Sequence, residues 1–187
     1  MRICVASLES MTPYSQSKAY ISTRGEKETA DAFEKAHWRE KAHVNEAGEV
    51  FIPAMAFKFA LDESCKRLAI QVPGQGKTRY TKFFEAGVYV PEGPSLGIKI
   101  DDVKGEWVFC NSDGKRGSGS RVMRCFPVIP AWKADVTFMV LDDKIPQDIF
   151  ERVLKECGLY VGIGRFRPQN QGYFGRFTVK AAKWSEV

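Results

Sequence analysis

Two strand–helix–strand units separated by a turn-rich, β-prone middle predict an α+β fold. Three observations carry that prediction. Residues 134–183 read as strand, helix, glycine-rich loop and strand. Residues 1–68 begin with an apolar extended stretch and end in a second amphipathic helix. The chain has 187 residues, enough for one sizeable core without disulfide or metal staples.

The elements follow in order. Residues 1–8 are a candidate first strand. Residues 26–46 are charge-rich and predicted helical, with Phe33 and Trp38 as apolar anchors. Residues 49–52 make a short extended piece that delivers Pro53. That proline opens a helix whose Phe57, Ala60, Leu61, Ser64, Cys65 and Leu68 recur every three or four residues. From residue 81 to 103 the pattern predicts short extended segments broken by Gly87, Pro91, Gly93, Pro94 and Gly97. Residues 107–110 and 121–126 flank a polar, glycine-rich hairpin tip. Residues 134–141 (ADVTFMVL) are rich in β-branched and apolar side chains, as a buried strand is. Asp142 and Asp143 stand where N-terminal caps are expected, with Pro146 in the first turn of a helix. Ile149, Phe150, Val153, Leu154 and Cys157 form its apolar stripe, and Gly158 stands where a left-handed cap would end it. Residues 173–183 (YFGRFTVKAAK) read as the returning strand. The order predicts one domain over residues 1–187 with a ferredoxin-like, RRM-related core. Residues 26–46 would be a charged helical insertion, and residues 81–130 a β-rich arm.

Composition narrows the function. Hydrophobic residues are 44% and charged residues 27%, which excludes wholesale disorder. No apolar run is long enough to span a bilayer, and the first residues lack the pattern of a secretory signal, so a cytoplasmic protein is expected. The 5 cysteines are scattered without a Cys-x-x-Cys pair, and His37 and His43 are the only imidazoles. Free buried thiols, with no metal and no cofactor, are the expectation. The net charge of +5 is unevenly spread. Residues 134–157 carry 6 acidic and 3 basic side chains, whereas residues 158–187 carry 5 basic ones against Glu186 alone. Lys77, Arg79 and Lys82 form another basic cluster, and Lys115, Arg116, Arg121 and Arg124 another. Such clusters suit a polyanionic partner, although each alone fits an ordinary solvated loop better.

The most informative stretch is residues 162–177 (GIGRFRPQNQGYFGRF). Gly162, Gly164, Gly172 and Gly175 allow close backbone approach. Arg165, Arg167 and Arg176 supply guanidinium forks for phosphates, while Phe166, Tyr173, Phe174 and Phe177 offer ring faces for bases. On an alternating strand Phe174 and Phe177 would point to opposite faces, sending one of them into the core. Residues 12–18 (TPYSQSK) could likewise bind phosphate through hydroxyls and Lys18 and stack a base on Tyr14, or be a polar turn. Lys58 lies off its helix's apolar stripe, facing solvent or a groove. Residues 72–78 end in Gly-Lys-Thr, yet Gln71 replaces the leading glycine of a P-loop and Pro73 interrupts the cradle. Nucleotide hydrolysis is rejected there, and the loop reads equally as phosphate contacts through Lys77 and Arg79 or as a plain connector.

Taken with the helix entered through VFIPAMAFK, the basic hairpin and the glycine-rich loop after the last helix, the chain resembles the RAMP superfamily of CRISPR proteins. Its likeness is greatest to the subunits that polymerise along guide RNA. The Gly-Ile-Gly-Arg-Phe-Arg-Pro run also resembles phage-encoded proteins of unassigned role. The resemblance implies a non-catalytic subunit that binds single-stranded RNA (or DNA), assembling side by side in a ribonucleoprotein, with residues 109–126 as a thumb. The chain is short for such a subunit, and residues 26–46 have no counterpart. A metal-independent endoribonuclease using His37 or His43 is an alternative that the same resemblance implies. A phage structural subunit, or an inhibitor mimicking a CRISPR subunit, is another. The nucleic-acid contacts expected are Gly162, Gly164, Arg165, Phe166, Arg167, Gly172, Tyr173, Gly175, Arg176, Lys18, Lys58, Lys77, Arg79, Lys115, Arg116 and Arg121.

Overall fold

The computed structural model describes residues 1–112 and 119–186. Its centre is a four-stranded antiparallel sheet in the order β4-β8-β1-β9, built from β1 (Arg2–Ser10), β4 (Val88–Tyr89), β8 (Lys133–Val140) and β9 (Phe177–Glu186). Two long helices, α2 (Ala54–Leu68) and α4 (Gln147–Glu156), complete the ferredoxin-like arrangement. Alternation sets the buried face: Cys4, Ala6 and Leu8 of β1 and Val136, Phe138 and Val140 of β8 are buried. Phe150 of α4 meets Phe138 at 5.4 Å and Trp184 of β9 at 5.2 Å between ring centroids. The Ser64 hydroxyl on α2 donates to the Val153 carbonyl on α4 at 2.8 Å, tying the two helices together.

The stripe expected on α2 is buried at Phe57, Ala60, Leu61, Ser64 and Cys65. Four expectations change. Residues 81–87 are not extended: Thr81–Gly87 forms a short helix, α3, whose Phe84 is buried against Phe150. Asp142 and Asp143 do not cap α4, because Pro146 occupies its N-cap and Asp142 Oδ1 accepts instead from the Lys144 N–H. Gly158 is not the left-handed cap either. The helix runs on through a π-helical turn, Cys157–Val161, and Gly162 at φ 70° ends it. Finally, β9 begins only at Phe177, so residues 173–176 stay in the loop and both Phe174 and Phe177 are buried. Without strand alternation there, nothing sends the two rings to opposite faces.

The arm is a hairpin of β6 (Lys104–Asn111) and β7 (Arg121–Ile129), paired in register from Lys104↔Val128 to Asn111↔Arg121. The short β2 (Tyr14–Ser15) adds to β7 at its base, and β3 (Glu49–Phe51) pairs with β5 (Ser95–Lys99) alongside. The charged segment contains α1 (Ala30–His37), capped by the Thr29 hydroxyl, and a 3₁₀ turn, Trp38–Lys41. It packs on the arm. Glu34 accepts from the Tyr20 hydroxyl, the Lys41 ammonium, Arg124 at 3.0 Å and the Cys125 N–H at 2.7 Å. Lys41 also donates to the Cys125 carbonyl at 2.8 Å. This side-chain ion pair therefore satisfies the backbone of β7 where no strand covers its edge.

Candidate nucleic-acid interface

Two loops far apart in sequence are stitched into one site. The Gly175 N–H donates to the Pro13 carbonyl at 2.8 Å, the Arg165 N–H to the Ser15 carbonyl at 2.8 Å and the Met11 N–H to the Arg176 carbonyl at 2.8 Å. Within the glycine-rich loop, Ile163 N–H donates to the Gly175 carbonyl at 3.0 Å. Gly164 and Gly175 both have φ near +80°, where a side chain is strained. A Cβ would also overlap the Ser15 carbonyl at Gly164 and the Ile163 carbonyl at Gly175. Glycine here is what allows the loops to touch.

The stitching leaves a cleft of about 260 Å³ lined by Tyr14, Gln16, Ser17, His43, Pro53, Ala56, Gly164 and Arg165. Gln16 holds its wall: its amide donates to the Phe51 carbonyl at 2.7 Å, and its oxygen accepts from the His43 N–H at 2.6 Å. Burial, and then the nearby Lys18 charge, lower the pKa of His43. Arg165 is the cation among the residues lining this cleft. Its Nε donates to Ser15 Oγ at 3.0 Å, a terminal nitrogen pairs with Glu106 at 3.0 Å, and its guanidinium lies 4.0 Å from the Phe126 ring centroid. Burial lowers its pKa, opposed by Glu106. A wider depression of about 530 Å³ contains Asp142, Asp143 and Lys144, a poor match for phosphate.

The remaining candidates scatter. Phe166 and Tyr173 are exposed at 45% and 56%, Tyr173 lying edge-on to Phe174 at 5.7 Å between ring centroids, while Phe174 and Phe177 belong to the interior. Arg176 Nε donates to the Leu159 carbonyl at 3.1 Å, and Arg167 Nε is buried without a hydrogen-bond partner among the described residues. Gly162 and Gly172 shape the loop, with Gly172 N–H donating to the Arg167 carbonyl at 3.0 Å. Lys58 must be removed from the interface. It is 9% exposed, and its ammonium is held by Asp62 at 2.5 Å and by the Phe84 carbonyl at 2.9 Å. Its place on α2 under α3 draws it inward, a packing not visible in the helix periodicity. Lys77 and Arg79 are exposed on the 71–79 loop, and Arg121 is exposed on the arm beside Phe109. Lys115 and Arg116 lie outside the described residues. His37 stacks on Phe33 and pairs with Glu40 at 2.7 Å, so the two histidines have different surroundings and only His43 lines the cleft. Sequence reasoning missed Glu106 and Phe126, whose approach to Arg165 depends on how the arm leans over the loop.

No family model matches this chain, and no curated protein matches it. Among solved structures, the fold is similar to that of a chain in the cryo-EM structure of the Type III-B Cmr-beta bound to cognate target RNA, with a TM-score of 0.52. The superposition covers 99% of this chain and 61% of that one at 9% sequence identity. The chain thus spans about three fifths of that neighbour's length, and the likeness establishes the fold.

Proposed function

We propose that this chain binds single-stranded RNA as a non-catalytic subunit of a CRISPR-type ribonucleoprotein, assembling side by side along the strand in the cytoplasm. The cleft between residues 12–18 and the glycine-rich loop carries the reading. It joins Arg165 and His43, with the Lys18 charge near His43, to the Gly164 backbone, and the loop that supplies Arg165 also carries the exposed rings of Phe166 and Tyr173. Phosphates would meet the cations and splayed bases the rings, the division of labour typical of single-strand recognition. The likeness to a subunit of an RNA-bound complex supports the same conclusion. Filter binding of a labelled single-stranded RNA at low and moderate salt tests it. Affinity should fall with salt at a log–log slope of about −0.7 per phosphate contacted. Replacing Arg165, Arg167 and Arg176 together by alanine should weaken binding at least about tenfold, the scale of a few lost phosphate contacts. Unchanged binding in that variant defeats the proposal.

A second reading rests on His43 alone, because it lines the cleft with its pKa lowered. Incubation with hairpin RNA in EDTA would then yield a 2′,3′-cyclic phosphate end, lost in His43→Ala. RNA recovered intact dismisses cleavage and leaves the binding proposal standing.

A further inference from the structure

The Arg165 guanidinium is built into its position from several sides. It stacks over Phe126 at 4.0 Å and approaches Phe174 at 4.9 Å, while its Nε donates to Ser15 at 3.0 Å. The remaining anchor is different in kind. Glu106 stands on β6 directly opposite Phe126 in the register and reaches across that ring to Arg165 at 3.0 Å. Its side chain is 45% exposed against 17% for Arg165, and no other cation pairs with it among the described residues. A carboxylate oxygen at this distance from a guanidinium nitrogen stands where a phosphate oxygen would bind the same fork.

Building on the proposed RNA site, we infer that Glu106 is an internal stand-in for a nucleic-acid phosphate. It holds Arg165 in its binding shape while the cleft is empty, and an incoming backbone phosphate displaces it. The exchange swaps one anionic oxygen for another at the guanidinium. Ser15 and the two rings keep Arg165 in place throughout, and the released carboxylate moves the short way into water. An isolated phosphate competes poorly with a carboxylate tethered on the same molecule. A polynucleotide that also engages Lys18 and the loop backbone competes well. Glu106 therefore sets the threshold of binding and favours long strands over stray anions. Because β6 belongs to the arm and Arg165 to the loop, the exchange also releases one tie between them.

The test compares the full-length protein with Glu106→Gln, which keeps the shape and removes the charge, using one labelled single-stranded RNA at fixed salt. Removing a partly exposed competing ion should tighten binding about two- to fivefold. Glu106→Ala should tighten it similarly. The gain should vanish in Glu106→Gln combined with Arg165→Ala, because it acts through that guanidinium. Asp102→Asn, which removes an exposed charge near the base of the arm, should leave affinity within about twofold of wild type. Unchanged or weaker binding in both Glu106 variants overturns the inference, as does an equal gain from Asp102→Asn. These outcomes leave the RNA reading intact if Arg165→Ala still weakens binding. If the wild-type protein binds no RNA even at low salt, the RNA reading itself falls.

Discussion

The base of the arm has a feature that the four-stranded core lacks, a buried network of charges. In the core, Phe138, Phe150, Phe84 and Leu154 are almost completely buried, and contact among apolar surfaces holds the sheet to α2 and α4. At the base of the arm, buried apolar residues such as Trp38 and Cys125 sit beside an ion network: Glu34 is fully enclosed, with Lys41 and Arg124 on its two oxygens. Apolar packing weakens in proportion to the atoms removed. A buried ion network fails more abruptly, because each member left behind is an uncompensated charge. The core sets the fold, and the network sets where the arm and the charged segment stand against it.

Phe150→Ala should be the more damaging single change in the core, costing about 4 kcal/mol and lowering the whole urea transition. Glu34→Ala should cost about 3 kcal/mol by stranding Lys41 and Arg124. Its damage should be local: hydrogen exchange should quicken in residues 20–46 and in β7 while β1, β8 and β9 stay protected. If both variants unfold the molecule uniformly, the two regions form one cooperative unit and the contrast is wrong. Acid gives a smaller, graded effect. Burial raises the Glu34 pKa, but Lys41, Tyr20, the Cys125 N–H and Arg124 together bring it below the usual 4.5. The Ser22 hydroxyl and N–H, with His37, hold Glu40 at about 2. Carboxyls with depressed folded values contribute stability that is complete above their unfolded value and is lost as pH falls through the folded one. Between pH 4.5 and about 2, pepsin should therefore cut first within residues 20–46. Simultaneous loss of core fragments would remove the distinction.

The core was largely legible in the sequence. The stripe from Phe57 to Cys65, the strand ending at Val140 and the stripe from Phe150 to Cys157 are local periodicities, and each lies where expected. Helix α3 was hidden because Thr81–Gly87 is too short to show a period and is set by the burial of Phe84. The site was legible in part. The glycine-rich loop announced itself by composition, whereas residues 12–18 read as a phosphate loop or, rather better, as a polar turn. Their union through Pro13 and Ser15 could not be read, because those hydrogen bonds join residues some 150 positions apart, as Ser15 and Arg165 are. Lys58 was misplaced for a related reason: its partner Asp62 is one turn away, but the Phe84 carbonyl that completes its burial comes from another element.

What the sequence by itself determined was the succession of the long strands and the two long helices, since turn chemistry and apolar spacing act over a few residues. Tertiary structure alone decided which charges face water. Glu34, Lys41 and Lys58 are charged and yet enclosed, whereas the rings of Phe166 and Tyr173 are exposed. Whether a polar group can be buried depends on partners supplied from distant parts of the chain, and only the folded arrangement brings those partners within hydrogen-bond reach.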